Sequence, residues 1–422
     1  MRRFVVLWLS VTSSSVAGDL FDVDGSDLVW LGDSMVPYGE LGTRIGVADL
    51  DADGIADLIA GDQSGSGHAW VLLGPRSGET SVDDADMAFD YWAGWWGGEI
   101  VGRDADGDGD DDLLFGPYMF LGPMTSGGDV ATADATFLVP HTNVAATIIG
   151  DHDGDGLPDV ALSDMDFGEL VRRGKVYVAS GTTTGTMDLG ADATYTYQNL
   201  GGDELGFAIT AVGDINGDGI DDLALGVPGS DVHSVYVVAG GEPAGTYGIY
   251  DDPLTVLSSG ATDRFGASMD ATDYDGDGYA DLFVGAPSER PAVYAFLGPL
   301  EGRRRESADA DTRWYGTRGL GSSVAARGDV DADGQPDVLL GARHPRGSGT
   351  VYLQLGESTG VIDVADLLSF RSTGRTYLGQ GIAFVPDWTG DGGSEVAISE
   401  PSFINGGVMP GRVVVVFSEN LY

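Results

Sequence analysis

Apolar residues in this chain come in short runs, each closed by Gly or Pro, and never at the three-to-four spacing of a long amphipathic helix. L-A-L-G-V-P (223–228), L-F-V-G-A-P (282–287) and V-L-L-G-A (338–342) are typical. A second apolar run follows each of these, as in S-V-Y-V-V-A-G (234–240), A-V-Y-A-F-L-G (292–298) and T-V-Y-L-Q-L-G (350–356). Then comes a shorter, more polar segment, at residues 87–92, 135–139, 194–198, 254–258, 312–315 and 367–371. Val, Tyr, Phe and Leu fill the runs and Gly or Pro separates them, which predicts strands joined by tight turns. The inner runs read as strands buried on both faces. The outer, polar ones read as exposed sheet edges, kept short and charged.

Between the first and second strand of each unit lies an acidic loop. Residues 214–222 read D-I-N-G-D-G-I-D-D, with oxygen-bearing side chains at positions 1, 3, 5 and 9 and Gly at position 6. That spacing is what a hard cation such as Ca²⁺ asks of a tight turn. Seven copies begin at Asp49, Asp104, Asp151, Asp214, Asp273, Asp329 and Asp387, spaced 55, 47, 63, 59, 56 and 58 residues apart. The candidate ligands are Asp49, Asp51, Asp53 and Asp57; Asp104, Asp106, Asp108 and Asp112; Asp151, Asp153, Asp155 and Asp159; Asp214, Asn216, Asp218 and Asp222; Asp273, Asp275, Asp277 and Asp281; and Asp329, Asp331, Asp333 and Asp337. Position 7 offers a backbone carbonyl. The seventh loop has Asp387, Asp391 and Glu395 but Thr389 at position 3, a poorer ligand. The expectation is six Ca²⁺ sites and a seventh, degenerate one. Position 12 is apolar in every copy, from Ala60 to Ile398, where an EF-hand needs Glu.

Seven units of four strands predict an all-β fold, a seven-bladed β-propeller of four-stranded antiparallel blades. The last unit supplies three strands only. D-L-V-W-L (27–31) has the character of the missing fourth, so an N-terminal strand is expected to complete the last blade and close the ring.

Phe265-Gly266 and Gly285-Ala286-Pro287, flanking the acidic loop at 273–281, resemble the FG-GAP repeats of integrin α-chain propellers. Other copies drift: Leu replaces Phe before Gly42, Gly206, Gly321 and Gly379, and the third copy ends Leu162-Ser163-Asp164. The resemblance runs over about residues 27–418 and implies a Ca²⁺-binding propeller whose acidic loops share one face. It shows neither the inserted domain, the stalk nor the membrane helix of integrins, so their function is not carried over.

Composition narrows the function further. With Lys+Arg 21 against Asp+Glu 67, the net charge is −46, which excludes nucleic acid and an anionic membrane surface as partners. Twenty-six of the 67 acids fall at ligand positions, so stored cation sites account for much of the charge. There is no Cys, hence no disulfide or thiolate chemistry, and bound cations are the available staple. Residues 1–17 read as a signal peptide: Arg2-Arg3, an apolar stretch from Phe4, and Ser15-Val16-Ala17 before the cleavage point. Residues 18–422 then form one propeller, monomeric and without a membrane span, placed in the periplasm, at the cell surface or outside the cell.

No HExxH, GxSxG or Walker motif occurs, and His68, His141, His152, His233 and His344 are scattered over different units. The reading is a non-enzymatic binding or adhesion scaffold for an unknown protein or glycan. The alternative is a calcium-dependent carbohydrate-binding or carbohydrate-active protein, for which Tyr91, Trp92, Trp95 and Trp96 are the exposed-aromatic candidates. Arg327-Gly328-Asp329 spells an adhesion tripeptide, but its Asp opens the sixth acidic loop, so a structural role is expected. Arg303–Arg305 are expected in a solvated loop.

Overall fold

The computed structural model describes residues 20–32, 40–62, 67–90, 100–140, 145–165, 174–198, 204–229, 233–250, 253–259, 262–300, 302, 304–344, 347–373, 376–401 and 410–421. Seven sheets make seven blades. Blade 5 shows the unit whole: Ser268–Thr272, Asp281–Ala286, Ala292–Phe296 and Thr312–Tyr315 pair antiparallel in that order. The second strand is buried along its full length, because blades pack on both of its faces. The fourth alternates, with Thr312 and Trp314 buried and Tyr315 exposed.

The seven hydrophobic cores confirm the ring. Each spans one pair of neighbouring blades. One unites Val212, Ala224 and Val235 of blade 4 with Leu282, Val284 and Tyr294 of blade 5. Another unites Leu28, Trp30 and Val413 of blade 7 with Leu58, Ala60 and Leu72 of blade 1, and so closes the circle. The fold has no single centre; its stability resides in seven slabs of apolar contact between sheets.

The Gly of the FG turn is what lets adjacent blades approach. At Gly266 (φ +88°) an added Cβ would meet Val235 Cγ2 at 3.0 Å and the Ser234 carbonyl oxygen at 3.1 Å, both on blade 4. At Gly321 (φ +85°) it would meet Ala286 N at 2.8 Å and Gly285 Cα at 3.0 Å on blade 5. The FG turn of one blade therefore seats on the GAP segment of the blade before it, and both halves of the motif stay small for one steric reason.

Closure follows the expected route. Leu28–Leu31 pairs antiparallel with Arg412–Val416, the last strand of the chain, as the fourth strand of blade 7. The outer strands differ from expectation: most are not free edges. Gly360–Asp363, within the connection between the third and fourth strands of blade 6, lies parallel to Thr312–Tyr315 of blade 5. The same hand-off places Gly78–Ser81 on Leu28–Leu31, Gly185–Asp188 on Ala135–Leu138, Gly245–Gly248 on Tyr195–Gln198, and Arg304–Glu306 on Thr255–Ser258. Leu20–Asp22 does likewise on Leu368–Arg371 of blade 6. At blade 1 it shrinks to one bridge, Asp90 to Asp129. Six sheets thus have five strands, and each borrowed strand satisfies backbone groups an edge would leave open. Arg304 and Arg305 lie in such a strand, not in a loop.

Trp30 is fully buried at the seam between the last blade and the first. Trp30→Ala is expected to cost about 3–5 kcal/mol, measured by chemical denaturation. Leu20→Ala, at a residue 62% exposed, is expected to change stability by less than about 0.5 kcal/mol. Equal effects would show that the seam does not depend on the N-terminal strand.

Candidate metal centres in the acidic loops

Each acidic loop is a backbone turn held by its own carboxylates. In the fourth, Asp214 Oδ1 accepts from the N–H groups of Gly217 (2.6 Å) and Asp218 (3.0 Å), and Oδ2 from Gly219 (2.8 Å). Asn216 Oδ1 accepts from Asp218 N (2.8 Å), and Asp218 Oδ1 from Ile220 N (3.0 Å). These short local bonds let Asp and Asn compete with regular structure. They also turn successive carboxylates toward one point. In Asp49/Asp51/Asp53, Asp104/Asp106/Asp108, Asp151/Asp153/Asp159, Asp273/Asp275/Asp281 and Asp329/Asp331/Asp333, one oxygen from each residue lies within 4.8 Å of the others. Such an all-oxygen set matches the donors that Ca²⁺ takes.

Position 9 has a second task. Asp222 Oδ2 accepts from Ile215 N (3.2 Å), inside the loop, and Oδ1 from Gly240 N (3.0 Å), just beyond the third strand. Asp57 does the same with Leu50 and Gly74, Asp112 with Ala105 and Gly122, Asp281 with Tyr274 and Gly298, and Asp337 with Val330 and Gly356. Asp159 accepts from His152 and Asp153, and Glu395 from Trp388 and Thr389. All seven are buried. Burial pushes the carboxyls of Asp57, Asp112 and Asp281 up to about 6 and those of Asp159, Asp222 and Asp337 up to about 7. Neighbouring Asp charges add to the shift in each case.

The seventh loop departs as its sequence does. Ser418 Oγ lies 3.0 and 2.9 Å from the two oxygens of Asp391. Burial pushes this carboxyl up, but hydrogen bonds from Gly393, Ser418 and Thr389 outweigh it and hold it low. A protein hydroxyl here occupies a carboxylate that the other loops leave to its neighbours.

Sequence reading missed that the loops are joined. Position 8 of one blade bonds to position 1 of the blade before. Asp49 N donates to Asp111 Oδ2 (2.9 Å), and Asp221 N donates to the Asp151 carbonyl (3.0 Å). Ser394 N donates to the Asp329 carbonyl (2.7 Å), while Asp329 N returns a bond to Ser394 Oγ (3.2 Å). Trp388 Nε1 reaches the Ala56 carbonyl across the seam. No side-chain pattern announces these bonds, since at least one partner in each is main chain.

The remaining sequence candidates resolve as follows. Arg327 Nε donates to Asp270 (3.0 Å) and its Nη2 to the Ala211 carbonyl (3.2 Å). Gly328 is buried, and both Asp329 oxygens accept loop N–H groups. The tripeptide is structural. His152 is buried, with Nδ1 2.7 Å from the Asp221 carbonyl and Nε2 2.9 Å from the Tyr197 hydroxyl. His68 sits between Asp62 (3.6 Å) and Asp90 (3.4 Å). Tyr91, Trp92, Trp95, Trp96, His141 and the expected signal peptide lie outside the described residues.

Position 6 supplies a test of the loop geometry. All seven glycines there, Gly54, Gly109, Gly156, Gly219, Gly278, Gly334 and Gly392, have φ between +85° and +98°. Around Gly219 a Cβ would meet nothing within 4 Å, so the requirement is one of dihedral angle, not space. Gly219→Ala should lower stability by about 1–2 kcal/mol, read by thermal or urea unfolding. An unchanged midpoint would refute the conformational argument.

With the geometry established, three comparisons bear on kinship. The FG-GAP repeat family matches residues 206–242, 265–297 and 320–353. The chain is 32% identical over 224 residues to integrin alpha pat-2 of Caenorhabditis briggsae, covering 47% of this chain and 17% of that protein. It is 34% identical over 148 residues to human integrin alpha-IIb, covering 31% and 14%. A stretch of 163 residues is 31% identical to the bovine phosphatidylinositol-glycan-specific phospholipase D, covering 34% and 19%. The chain thus matches less than a fifth of each relative's length. Among solved structures, BBS1N in complex with ARL6DN, soaked with lead, superposes with a TM-score of 0.52 at 10% identity. It covers 96% of this chain and 97% of that one, a likeness of fold alone. Repeats, blade count and relatives agree: the chain carries matched FG-GAP repeats within a seven-bladed propeller, and parts of its sequence are similar to integrin α chains.

Proposed function

We propose that this protein is a calcium-stabilised binding scaffold, exported from the cytoplasm and working at the cell surface or beyond it. One observation carries the reading. The acidic loops are built into the fold: their carboxylates hold the turns, tie the third strand and link neighbouring blades. Chemistry placed there serves stability, and recognition falls to the turns that do not repeat. The integrin α relatives support adhesion as the general role. The residues that would hold Ca²⁺ are those at positions 1, 3, 5 and 9 of the first six loops, with Asp387, Asp391 and Glu395 a weaker set. The bound ion would supply positive charge to carboxylates that burial otherwise holds toward their protonated form. Among the described residues no helix is long and apolar enough to cross a membrane.

Metal removal is the direct test. A ligand that binds only the folded state adds about 2.7 kcal/mol per site at a hundredfold excess over Kd. Melting should therefore fall sharply when EDTA replaces 1 mM CaCl₂, a condition of roughly that order. Metal analysis should find fewer ions in Asp214→Asn/Asp218→Asn than in the parent. Identical melting with and without EDTA would sink the calcium reading.

A further inference from the structure

The molecule carries three times as many acids as bases, so an arginine here should seldom lack a carboxylate. Several have one: Arg76 pairs with Asp86, Arg264 with Glu204, Arg327 with Asp270, Arg305 with Asp311, and Arg412 with Glu400 and Asp24. Arg290, Arg318 and Arg343 do not. All three are exposed, and among the described residues none makes an ion pair. They also lie together in sequence, since ten of the chain's 21 basic residues fall between Arg264 and Arg346.

The topology brings them to one place. Acidic loops join first to second strands. The FG turns and the second-to-third hairpins therefore lie at the opposite end of the antiparallel blades. Arg264 and Arg318 precede the FG turns of blades 5 and 6, and Arg290 and Arg343 stand in the hairpins of the same blades. Ser288 N donates to the Asp263 carbonyl (2.9 Å), which sets the Arg290 hairpin beside the Arg264 turn. Gly319 abuts the Arg343 backbone, and Gly321 seats on Ala286, which joins the two blades.

Two of these guanidinium groups are held in place by aromatic faces. Arg264 lies 4.7 Å from the centroid of Phe207, and Arg343 lies 5.7 Å from that of Tyr377 while donating to Gln380 (2.9 Å). The acids on these turns offset the patch only in part, chiefly at Arg264, which Glu204 pairs. Asp263 is buried and bonded to Ser259 and Phe265 N, Glu204 stands 3.5 Å from Arg264, and Glu289 neighbours Arg290 in sequence. A planar guanidinium fixed by stacking, with open donors, matches a carboxylate.

From this we infer that the turns of blades 5 and 6, through Arg264, Arg290, Arg318 and Arg343, form a docking surface for an acidic protein segment presenting Asp and Glu side chains. The inference rests on the reading of the disc as a binding scaffold and adds the chemistry of the partner. Charge complementarity identifies the occupant: Arg290, Arg318 and Arg343 without a carboxylate among the described residues, and Arg264 shared with Glu204, on one end of a molecule of net charge −46.

The test uses the full chain in CaCl₂ and immobilised poly-L-glutamate as the probe, with heparin as a second probe. The parent should bind poly-L-glutamate saturably. Arg290→Glu/Arg318→Glu/Arg343→Glu should bind at least tenfold more weakly at an unchanged melting temperature. Arg371→Glu, at an exposed arginine elsewhere, should bind like the parent. If the triple variant misfolds, Arg290→Gln/Arg318→Gln should show the same direction of change. No binding by the parent, binding indifferent to the triple change, or binding to heparin alone would each overturn the proposal. A native partner that the triple variant still captures would leave the scaffold standing and remove this surface from it.

Discussion

One buried carboxylate per blade organises the unit. The acid at position 9 begins the second strand, and in five blades it accepts one bond from the loop before it and one from the Gly after the third strand. It thereby fixes the first hairpin and ties the third strand to it. Removing it would leave two backbone donors unpaired in a buried site. An amide could accept only through its single oxygen, which is why an acid serves here although burial resists its ionisation. Cation and fold thus converge on the same atoms: the groups that shape the turn are the groups that would hold the ion.

Those knots form a belt. Blades meet through apolar slabs and through the seating of an FG glycine on the preceding GAP segment. At the loop end they also meet through bonds from main-chain N–H groups of one acidic turn to a carbonyl or carboxylate of its neighbour. Order in one loop is therefore felt by the next, across blades otherwise joined by non-directional contact.

Much of this was legible in the residues. The acidic spacing and Gly/Pro punctuation place the fourth strand at 312–315, where Thr312–Tyr315 is found, and the closing strand at 27–31, where Leu28–Leu31 is found. The borrowed fifth strands were not legible. They are short, half-exposed and lack apolar alternation, as in Gly360–Asp363, and they pair with another blade. A faint signal exists: Gly78, Gly185, Gly245 and Gly360 are each followed four residues later by a buried aliphatic, Val82, Leu189, Ile249 and Val364. In the loops the clustering of carboxylates could be read, because it consists of side chains. The ties through Gly240 N and the Asp329 carbonyl could not, because backbone partners leave no mark on the sequence.

The borrowed strand also changes what a repeat is. A unit counted along the chain runs from one acidic loop to the next, yet part of it belongs to its neighbour's sheet. Excising such a unit would strip one blade's cover and leave another strand without a host. A sheet of this ring is therefore not one contiguous piece of chain, and a fragment cut to hold one repeat would not hold one complete sheet.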